Sequence, residues 1–336
     1  MDDLASDWEN FLNGTYSAEV ALPAVSAKTE CPEASLLHFS TQTFITQLNR
    51  HVDLKELFWG LELIPYDAHK TGICKKQMKF TCTSPEEVEQ LELRIAQYPI
   101  HNVHHIRKTD VNNVFKDIRK VSIGLSKKDL APNRMKSKSA FFNCLVVNVR
   151  IFIGMTSFKD HHVKLFNTGN VEIPGIQKAE HVPLIMDVLE QSVRKLHPID
   201  RVPEYKIVLI NSHFNVNFYI NRDKLYTLLK KNYGIAAVYD PCSYPGVQCK
   251  LYYTPEIEVV TRAKEYVTFS VSVMIFRTGS VLIVGKCNEE VIHSMYKYLN
   301  TVFSNHYSEI VDAATTESSI GNLKKEKKVK KWILKK

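Results

Sequence analysis

The sequence predicts an α+β fold built from two copies of one structural unit, and three observations indicate it. The same order of strand, helix, strands and long helix occurs twice along the 336 residues. Several short segments alternate apolar and polar residues with the period of a half-buried strand. Each copy ends in a segment whose apolar residues recur with the spacing of one helical face.

The second copy shows the unit most clearly. Its strand segments alternate apolar and polar residues, and Asn221 stands where a helix N-cap is expected. Its predicted elements are, in order, a strand over 205–210, a helix over 221–229, a turn at Tyr239-Asp240-Pro241, a break at Pro245-Gly246, a strand over 247–253, a hairpin over 271–286 and a helix over 288–303.

The first copy repeats this order but is longer. Its predicted elements are a strand over 36–44, a helix over 52–58, a turn at Pro65-Tyr66-Asp67, a strand over 73–82, a hairpin over 163–175 and a helix over 181–196. The offset from Tyr66 to Tyr239 is 173 residues, whereas that from Phe166 to Phe276 is 110, so the first copy holds 63 extra residues. We expect them in an insertion over about 84–140, which starts with a helix capped by Ser84 and carries a basic stretch from Arg107 through Lys138.

The predicted organisation has four parts. Residues 1–34 form a flexible acidic N-terminal arm, 35–200 the first repeat with its insertion, 201–312 the second repeat, and 313–336 a disordered Lys-rich tail. The segment around Trp8 could dock on a partner, fold back onto a basic face, or be a short frayed helix. The tail could tether phosphates, serve as a nuclear address, or be a solvated end.

Composition excludes several classes of protein. The seven cysteines are odd in number and form no Cys-x-x-Cys pair, which argues against a disulfide framework and a zinc ribbon. No apolar run approaches the roughly 20 residues of a membrane helix, and the acidic start is unlike a secretory signal. We expect a soluble, intracellular protein, in the nucleus or in a viral factory or virion. The net charge of +8 favours a polyanionic partner.

The sequence contains none of the motifs that we associate with enzymes. It has no Gly-x-Gly-x-x-Gly, no Gly-Lys-Ser/Thr phosphate loop, no Gly-x-Ser-x-Gly elbow and no His-Glu-x-x-His. Five histidines lie close together in sequence, but no cysteine or carboxylate stands at ligand spacing from them: His101, His104, His105, His161 and His162. We therefore expect a non-enzymatic protein without a metal or cofactor.

Short motifs recur at matching places in the two copies. The second has Tyr239-Asp240-Pro241, Pro245-Gly246 and Met274-Ile275-Phe276-Arg277-Thr278-Gly279, and the first has Pro65-Tyr66-Asp67 and Leu165-Phe166-Asn167-Thr168-Gly169. Taken in this order, the segments resemble the repeat of the TATA-box-binding protein family over residues 36–80 and 140–306. The resemblance implies a ten-stranded antiparallel saddle, with a concave DNA-binding face and helices on the convex back.

The resemblance also assigns roles to individual residues. In the family, phenylalanines wedge between base steps in the minor groove, and these positions correspond to Phe166, Phe276 and Tyr244. An apolar stripe for the groove corresponds to Met274, Phe276, Leu282 and Val284, and flanking phosphate contacts to Lys250, Arg277 and Lys286. The family's turn for a transcription factor B-like partner corresponds to Tyr239, Asp240 and Pro241.

The first repeat departs from the family at positions that face DNA. The other wedge position falls on Thr71, and the positions matching Leu282 and Val284 are Glu172 and Pro174. A carboxylate there is repelled by phosphates. The family's paired asparagines align with Leu37 and Leu209, while Asn211 lies two residues further on and would replace the second only after a register slip. We therefore expect asymmetric binding, led by the second repeat, with altered A·T preference.

The resemblance leads to one principal hypothesis and two alternatives. The principal hypothesis is a monomeric transcription initiation factor that binds promoter DNA and recruits a transcription factor B-like protein and RNA polymerase. The second is a saddle that acts as a protein-interaction platform or decoy with little sequence-specific DNA binding. The third, a saddle attached to nucleic-acid chemistry, lacks a catalytic arrangement of residues. The divergence and the large insertion suit a protein encoded by a large DNA virus.

Overall fold

The computed structural model describes residues 30–111, 114–130, 141–154, 157–199, 204–262 and 267–312. The N-terminal arm predicted over 1–34 is therefore described only from residue 30, and the segment around Trp8 lies outside the described residues. The tail predicted over 313–336 also lies outside them, as does part of the predicted basic stretch.

The described elements follow the predicted order in both halves. The first half contains β1 (His38–Gln47), α1 (Leu54–Gly60), β2 (Gly72–Cys82), α2 (Pro85–Ala96), β3 (His101–Val111), β4 (Val114–Gly124), β5 (Cys144–Ile153), β6 (Ser157–Phe166), β7 (Asn170–Ile176) and α3 (His181–Arg194). The second half contains β8 (Lys206–Asn215), α4 (Arg222–Lys231), β9 (Ala236–Val238), β10 (Gly246–Thr254), β11 (Glu258–Val260), β12 (Phe269–Phe276), β13 (Ser280–Gly285), α5 (Glu289–Asn305) and α6 (Tyr307–Ile310).

Side-chain caps fix the starts of the main helices. The side chain of Asn221 accepts the backbone N–H of Lys224 at 3.1 Å, and that of Ser84 accepts the N–H of Glu87 at 3.3 Å. Both caps were predicted from the sequence and are confirmed. Asp53 and Asn288 cap α1 and α5 in the same way.

The strands form one antiparallel sheet. The thirteen strands of the described chain include twelve in the order β11-β10-β12-β13-β8-β1-β7-β6-β5-β2-β4-β3, while β9 pairs with β10 beside this path. β1 and β8, the first strands of the two copies, pair at the centre. The order outward is then the same on both sides, β13-β12-β10 on one and β7-β6-β5 on the other. The resemblance predicted ten strands, and β2, β4 and β3 lengthen the sheet beyond β5.

The helices cover one face of this sheet. One core cluster packs α1 and α3 on β5, β6 and β7 through residues such as Phe58, Leu189 and Leu165. A second packs α4 and α5 on β10, β12 and β13 through residues such as Leu299 and Val273. Because side chains alternate across a strand, every second residue points away from these cores. We call that helix-free side the open face.

The position predicted for the insertion is wrong. We expected the strand over 73–82 to correspond to that over 247–253, but in the sheet β5 occupies the place of β10. Cys144 of β5 pairs with Phe166 as Gly246 of β10 pairs with Phe276. The extra residues of the first repeat therefore begin before β2 and not at residue 84. The offset of the two copies gives the number of extra residues, but it does not say which strand is additional.

The cysteines pack as the composition suggested. All seven are free thiols, and five are buried. Burial raises the pKa of Cys249 to about 12, so its thiol stays protonated and packs as a small apolar group. Over the ranges described, no helix combines the length and the apolar character needed to cross a membrane.

Candidate nucleic-acid interface

The apolar stripe predicted in the second repeat lies together on the open face. Met274 and Leu282 are Cα partners across the β12–β13 hairpin, and Phe276 and Val284 extend the stripe at either end. All four side chains are half-buried, whereas the alternate residues of the same strands are fully buried among the helices. The stripe is therefore not part of the core, which was the competing interpretation of the same alternation.

Two aromatic rings meet at the outer end of this stripe. Tyr244 and Phe276 have ring centroids 5.9 Å apart at an angle of 54°. Gly246 makes the approach possible, because a Cβ there would lie 3.2 Å from a ring carbon of each. The pair is half-buried, so it is supported from one side and accessible from the other.

The equivalent position in the first repeat is Phe142 and not Thr71. Tyr244 lies two residues before Gly246, and Phe142 lies two residues before Cys144, which is the topological counterpart of Gly246. Thr71 precedes β2, which lies one strand further out. Phe141 and Phe142 are 61% and 57% exposed, an unusual state for adjacent phenylalanines. Counting back from the hairpin would have identified them, because an aromatic residue precedes the neighbouring strand in both copies.

The carboxylate of Glu172 does not stand alone on the open face. Lys164 is its Cα partner across the β6–β7 hairpin and donates a hydrogen bond to Glu172 Oε1 at 2.7 Å. This pair occupies the place that Met274 and Leu282 occupy in the second repeat. Phosphates therefore meet a neutralised pair here, and the repulsion expected from Glu172 is largely balanced. Pro174 lies beside it, half-buried.

The centre of the open face is polar. Asn211 is the Cα partner of Thr41 on β1 and of Val284 on β13. Its amide donates a hydrogen bond to Thr41 Oγ1 at 3.1 Å. Asn211 therefore faces outward without the register slip that we expected it to need. Leu37, by contrast, packs against the second core, so it lies away from the open face.

The three predicted phosphate contacts differ in their surroundings. Lys250 is exposed on the open face of β10, where its Cα partner is Ser272, and Lys286 is exposed just after β13. Arg277 instead donates to Asp312 Oδ2 through Nε at 3.0 Å and forms an ion pair with it. Lys250 and Lys286 are accordingly the better placed cations.

The predicted partner turn is a compact structure joined to the open face. The Asp240 side chain accepts the N–H of Cys242 at 3.0 Å, and its carbonyl accepts the N–H of Tyr244 at 2.9 Å. Hydrogen bonding with the Ser243 side chain and the Cys242 N–H lowers the pKa of Asp240. Tyr239 lies beneath the guanidinium of Arg222 at 5.3 Å, and Pro241 is exposed.

The histidines that are close in sequence are not brought together. His161 points into the helix-covered side, His162 lies on the open face, and the rest are exposed on β3. No set of three or more His, Cys, Asp or Glu side chains within the described chain is arranged to hold a metal ion.

Known proteins with similar sequence or structure bear on this interface. Over 176 residues the chain is 27% identical to a protein named "TATA-box-binding protein-like" from Acanthamoeba polyphaga mimivirus. The match covers 49% of this chain and 44% of that protein, so it spans less than half of the relative's length. A solved structure of Methanococcus jannaschii TBP is 15% identical with a TM-score of 0.40, and the match covers 80% of this chain and 97% of that one. No family model matches the chain. The resemblance predicted from the motifs is confirmed by the viral relative, and the sheet has the predicted α+β saddle architecture.

Proposed function

We propose that this protein is a TATA-box-binding-protein-like transcription initiation factor that binds promoter DNA in the minor groove through its open face. The observation that carries the proposal is the symmetric placement of two aromatic sites. Tyr244 and Phe276 lie at one end of the open face, and Phe142 and Phe166 hold the corresponding positions in the other repeat. Aromatic wedges at such positions unstack base steps and kink a duplex.

The composition of the open face suits the minor groove. That groove offers a degenerate pattern of hydrogen-bond groups, so apolar contact and duplex deformability account for much of the recognition. Met274, Leu282 and Val284 supply apolar contact in the second repeat, and Asn211 supplies an amide near the centre. The Lys164–Glu172 pair makes the first repeat more polar, so we expect the second repeat to contribute more of the binding free energy.

We further propose that a transcription factor B-like protein binds at the turn of Tyr239, Asp240 and Pro241, and that the assembly recruits RNA polymerase. The exposed Val238 and Pro241 provide apolar surface beside the Asp240 carboxylate. In this proposal the protein acts as a monomer on DNA, inside the cell, in the nucleus or at a viral factory. It has no enzymatic activity.

Fluorescence anisotropy tests the proposal directly. The full chain is titrated with A·T-rich, G·C-rich and scrambled duplexes across a salt series, and we expect the A·T-rich duplex to bind most tightly. Energy transfer between labelled duplex ends measures the bend. Phe276→Ala and Phe142→Ala should each reduce the bend, because each removes one wedge. Leu93→Ala, at an exposed position on α2, is the control and should leave the bend unchanged.

A second candidate function is a protein-interaction platform or decoy with little sequence-specific DNA binding. The Lys164–Glu172 pair and Pro174 favour it, since they replace the apolar residues that fill these positions in the second repeat. Equal affinity for A·T-rich and scrambled duplexes, together with no bending, would support the platform and refute the first proposal.

A further inference from the structure

The strands added before β5 lengthen the open face. Cα partners form an unbroken row across the sheet, so their side chains share one face: Glu172, Lys164, Val146, Gln77, Ser122 and Asn102. At about 4.8 Å per strand, β2, β4 and β3 extend this face by about 14 Å. The surface that carries Phe142 and Phe166 therefore continues without a break into the added strands.

A group of lysines lies on this extension. Lys79 and Lys120 are Cα partners, and Lys75 lies two pleats from Lys79 on the same face of β2. Asp129 binds Lys75 at 2.7 Å, so one of the three charges is compensated. Burial lowers the pKa of Lys120, and the positive charge of Lys75 and Lys79 adds to the effect against the opposing charge of Asp129. Crowded cations of this kind gain stability when an anion binds.

The group is continuous with the first aromatic site. The Lys79 ammonium lies over the ring of Phe142 at 3.9 Å from its centroid, and Lys164 lies over the ring of Phe141 at 5.1 Å. A duplex kinked at Phe142 would next meet Lys79 and Lys120. The remaining side chains of the extension in this row are the neutral polar groups of Gln77, Ser122 and Asn102, which also suit a phosphate backbone.

The charge of the insertion is polarised across the sheet. The helix-covered side carries α2, whose exposed side chains include four carboxylates: Glu86, Glu87, Glu89 and Glu92. The open side carries the lysines. A polyanion is therefore attracted to the open side of the insertion and repelled from the other, which is the side on which the proposed DNA already lies.

We propose that β2, β4 and β3 add a phosphate-binding surface to the DNA interface, with Lys79 and Lys120 contacting the backbone of the duplex beyond the first repeat. This inference depends on the proposed function. At about 3.4 Å per base pair, an extension of about 14 Å corresponds to about four additional base pairs on one side of the site.

The test compares the full chain with its Lys79→Ala/Lys120→Ala double variant on a 30-base-pair duplex of A·T-rich centre. Each phosphate contact contributes about 0.9 to the slope of log affinity against log salt concentration. We expect the slope to fall by about 1.8 in the variant, and the hydroxyl-radical footprint to shorten by about four base pairs at one end only. The bend should persist, because the four aromatic residues are unchanged.

Two further variants keep the test decisive. Lys230→Ala/Lys231→Ala removes the same charge from exposed positions on α4, on the other side of the sheet, and should leave slope and footprint unchanged. Lys79→Arg/Lys120→Arg keeps the charge and should retain the slope of the unmodified chain. Circular dichroism establishes that each variant is folded.

An unchanged slope and footprint in a variant that is folded, while the unmodified chain binds and bends DNA, would overturn this inference and leave the proposed function standing. The same conclusion would follow if the alanine variant kept its DNA footprint but lost binding to a polyglutamate peptide, since the surface would then serve an acidic protein. Failure of the unmodified chain to prefer any duplex would instead refute the proposed function.

Discussion

His161 lies under the sheet against the first turn of α3, where it faces His181. The two residues are 4% and 5% exposed, and their ring centroids are 5.2 Å apart. His161 Nε2 and His181 Nδ1 are buried and find no hydrogen-bond partner among the described residues. Burial, the neighbouring His181 and Lys159 lower the pKa of His161 to about 4, against the opposing charge of Asp160.

This environment predicts acid-sensitive stability. The folded-state pKa of about 4 lies below the ordinary value of 6.5 for the unfolded chain, so folding favours the neutral ring. The resulting stability is complete above pH 6.5 and is lost as the pH falls toward 4. At about 1.4 kcal/mol for each tenfold change in proton affinity, His161 alone should reduce the free energy of unfolding by about 2 kcal/mol between pH 7 and pH 4.5.

Urea denaturation measures this loss, with fluorescence of Trp59, which packs against the same core, as the probe. Carboxylates also titrate in this range, so the informative quantity is the difference between variants. His161→Leu should lose about 2 kcal/mol less than the unmodified chain over the interval. His105→Leu, at an exposed position on β3, should behave like the unmodified chain. Equal losses in His161→Leu and the unmodified chain would refute the reasoning.

Three more predictions concern single residues. Lys76 is 1% exposed with its ammonium on the carbonyl of Leu61 at 2.7 Å, and burial lowers its pKa to about 8. Because the unfolded chain holds this proton up to about pH 10.5, the free energy of unfolding should rise by about 2 kcal/mol from pH 8 to pH 10 through this residue, and comparison with Lys76→Met in urea titrations measures the rise. Gly279→Ala places a Cβ 2.5 Å from the Phe218 carbonyl at a φ of +80°, so it should destabilise by more than Gly175→Ala, where φ is +78° but no atom lies within 4 Å; thermal melts that rank the two alike would contradict this. Asp53→Ala removes the acceptor of two N–H groups at the start of α1 and should cost about 1 kcal/mol, measurable by urea denaturation.

The regular features of the fold could be predicted from the sequence because they depend on local patterns. The Asn221 and Ser84 caps need only a polar side chain three residues before a donor. The outward-facing stripe of Met274 and Leu282 follows from strand alternation in a hairpin whose turn is recognisable.

The features that sequence reasoning missed are pairings between segments. The Lys164–Glu172 pair could have been found, since the turn at Gly169 places these residues opposite each other in the predicted hairpin. The role of Phe142 could not be derived from local pattern, because β2 and β5 both look like strands and only pairing shows which one adjoins β6. The Arg277–Asp312 pair joins residues 35 apart, and no spacing rule relates them.

The Asp240 turn has a thermodynamic consequence. Its carbonyl accepts the N–H of Tyr244, so the chain that presents Tyr239 and Pro241 to a partner is hydrogen-bonded to the residue that faces the duplex. A ligand that fixes one end of this five-residue segment restricts the other. Linkage then requires reciprocity: if DNA strengthens partner binding by some factor, the partner strengthens DNA binding by the same factor. The two affinities would be two readings of one coupling free energy, stored in a single short loop.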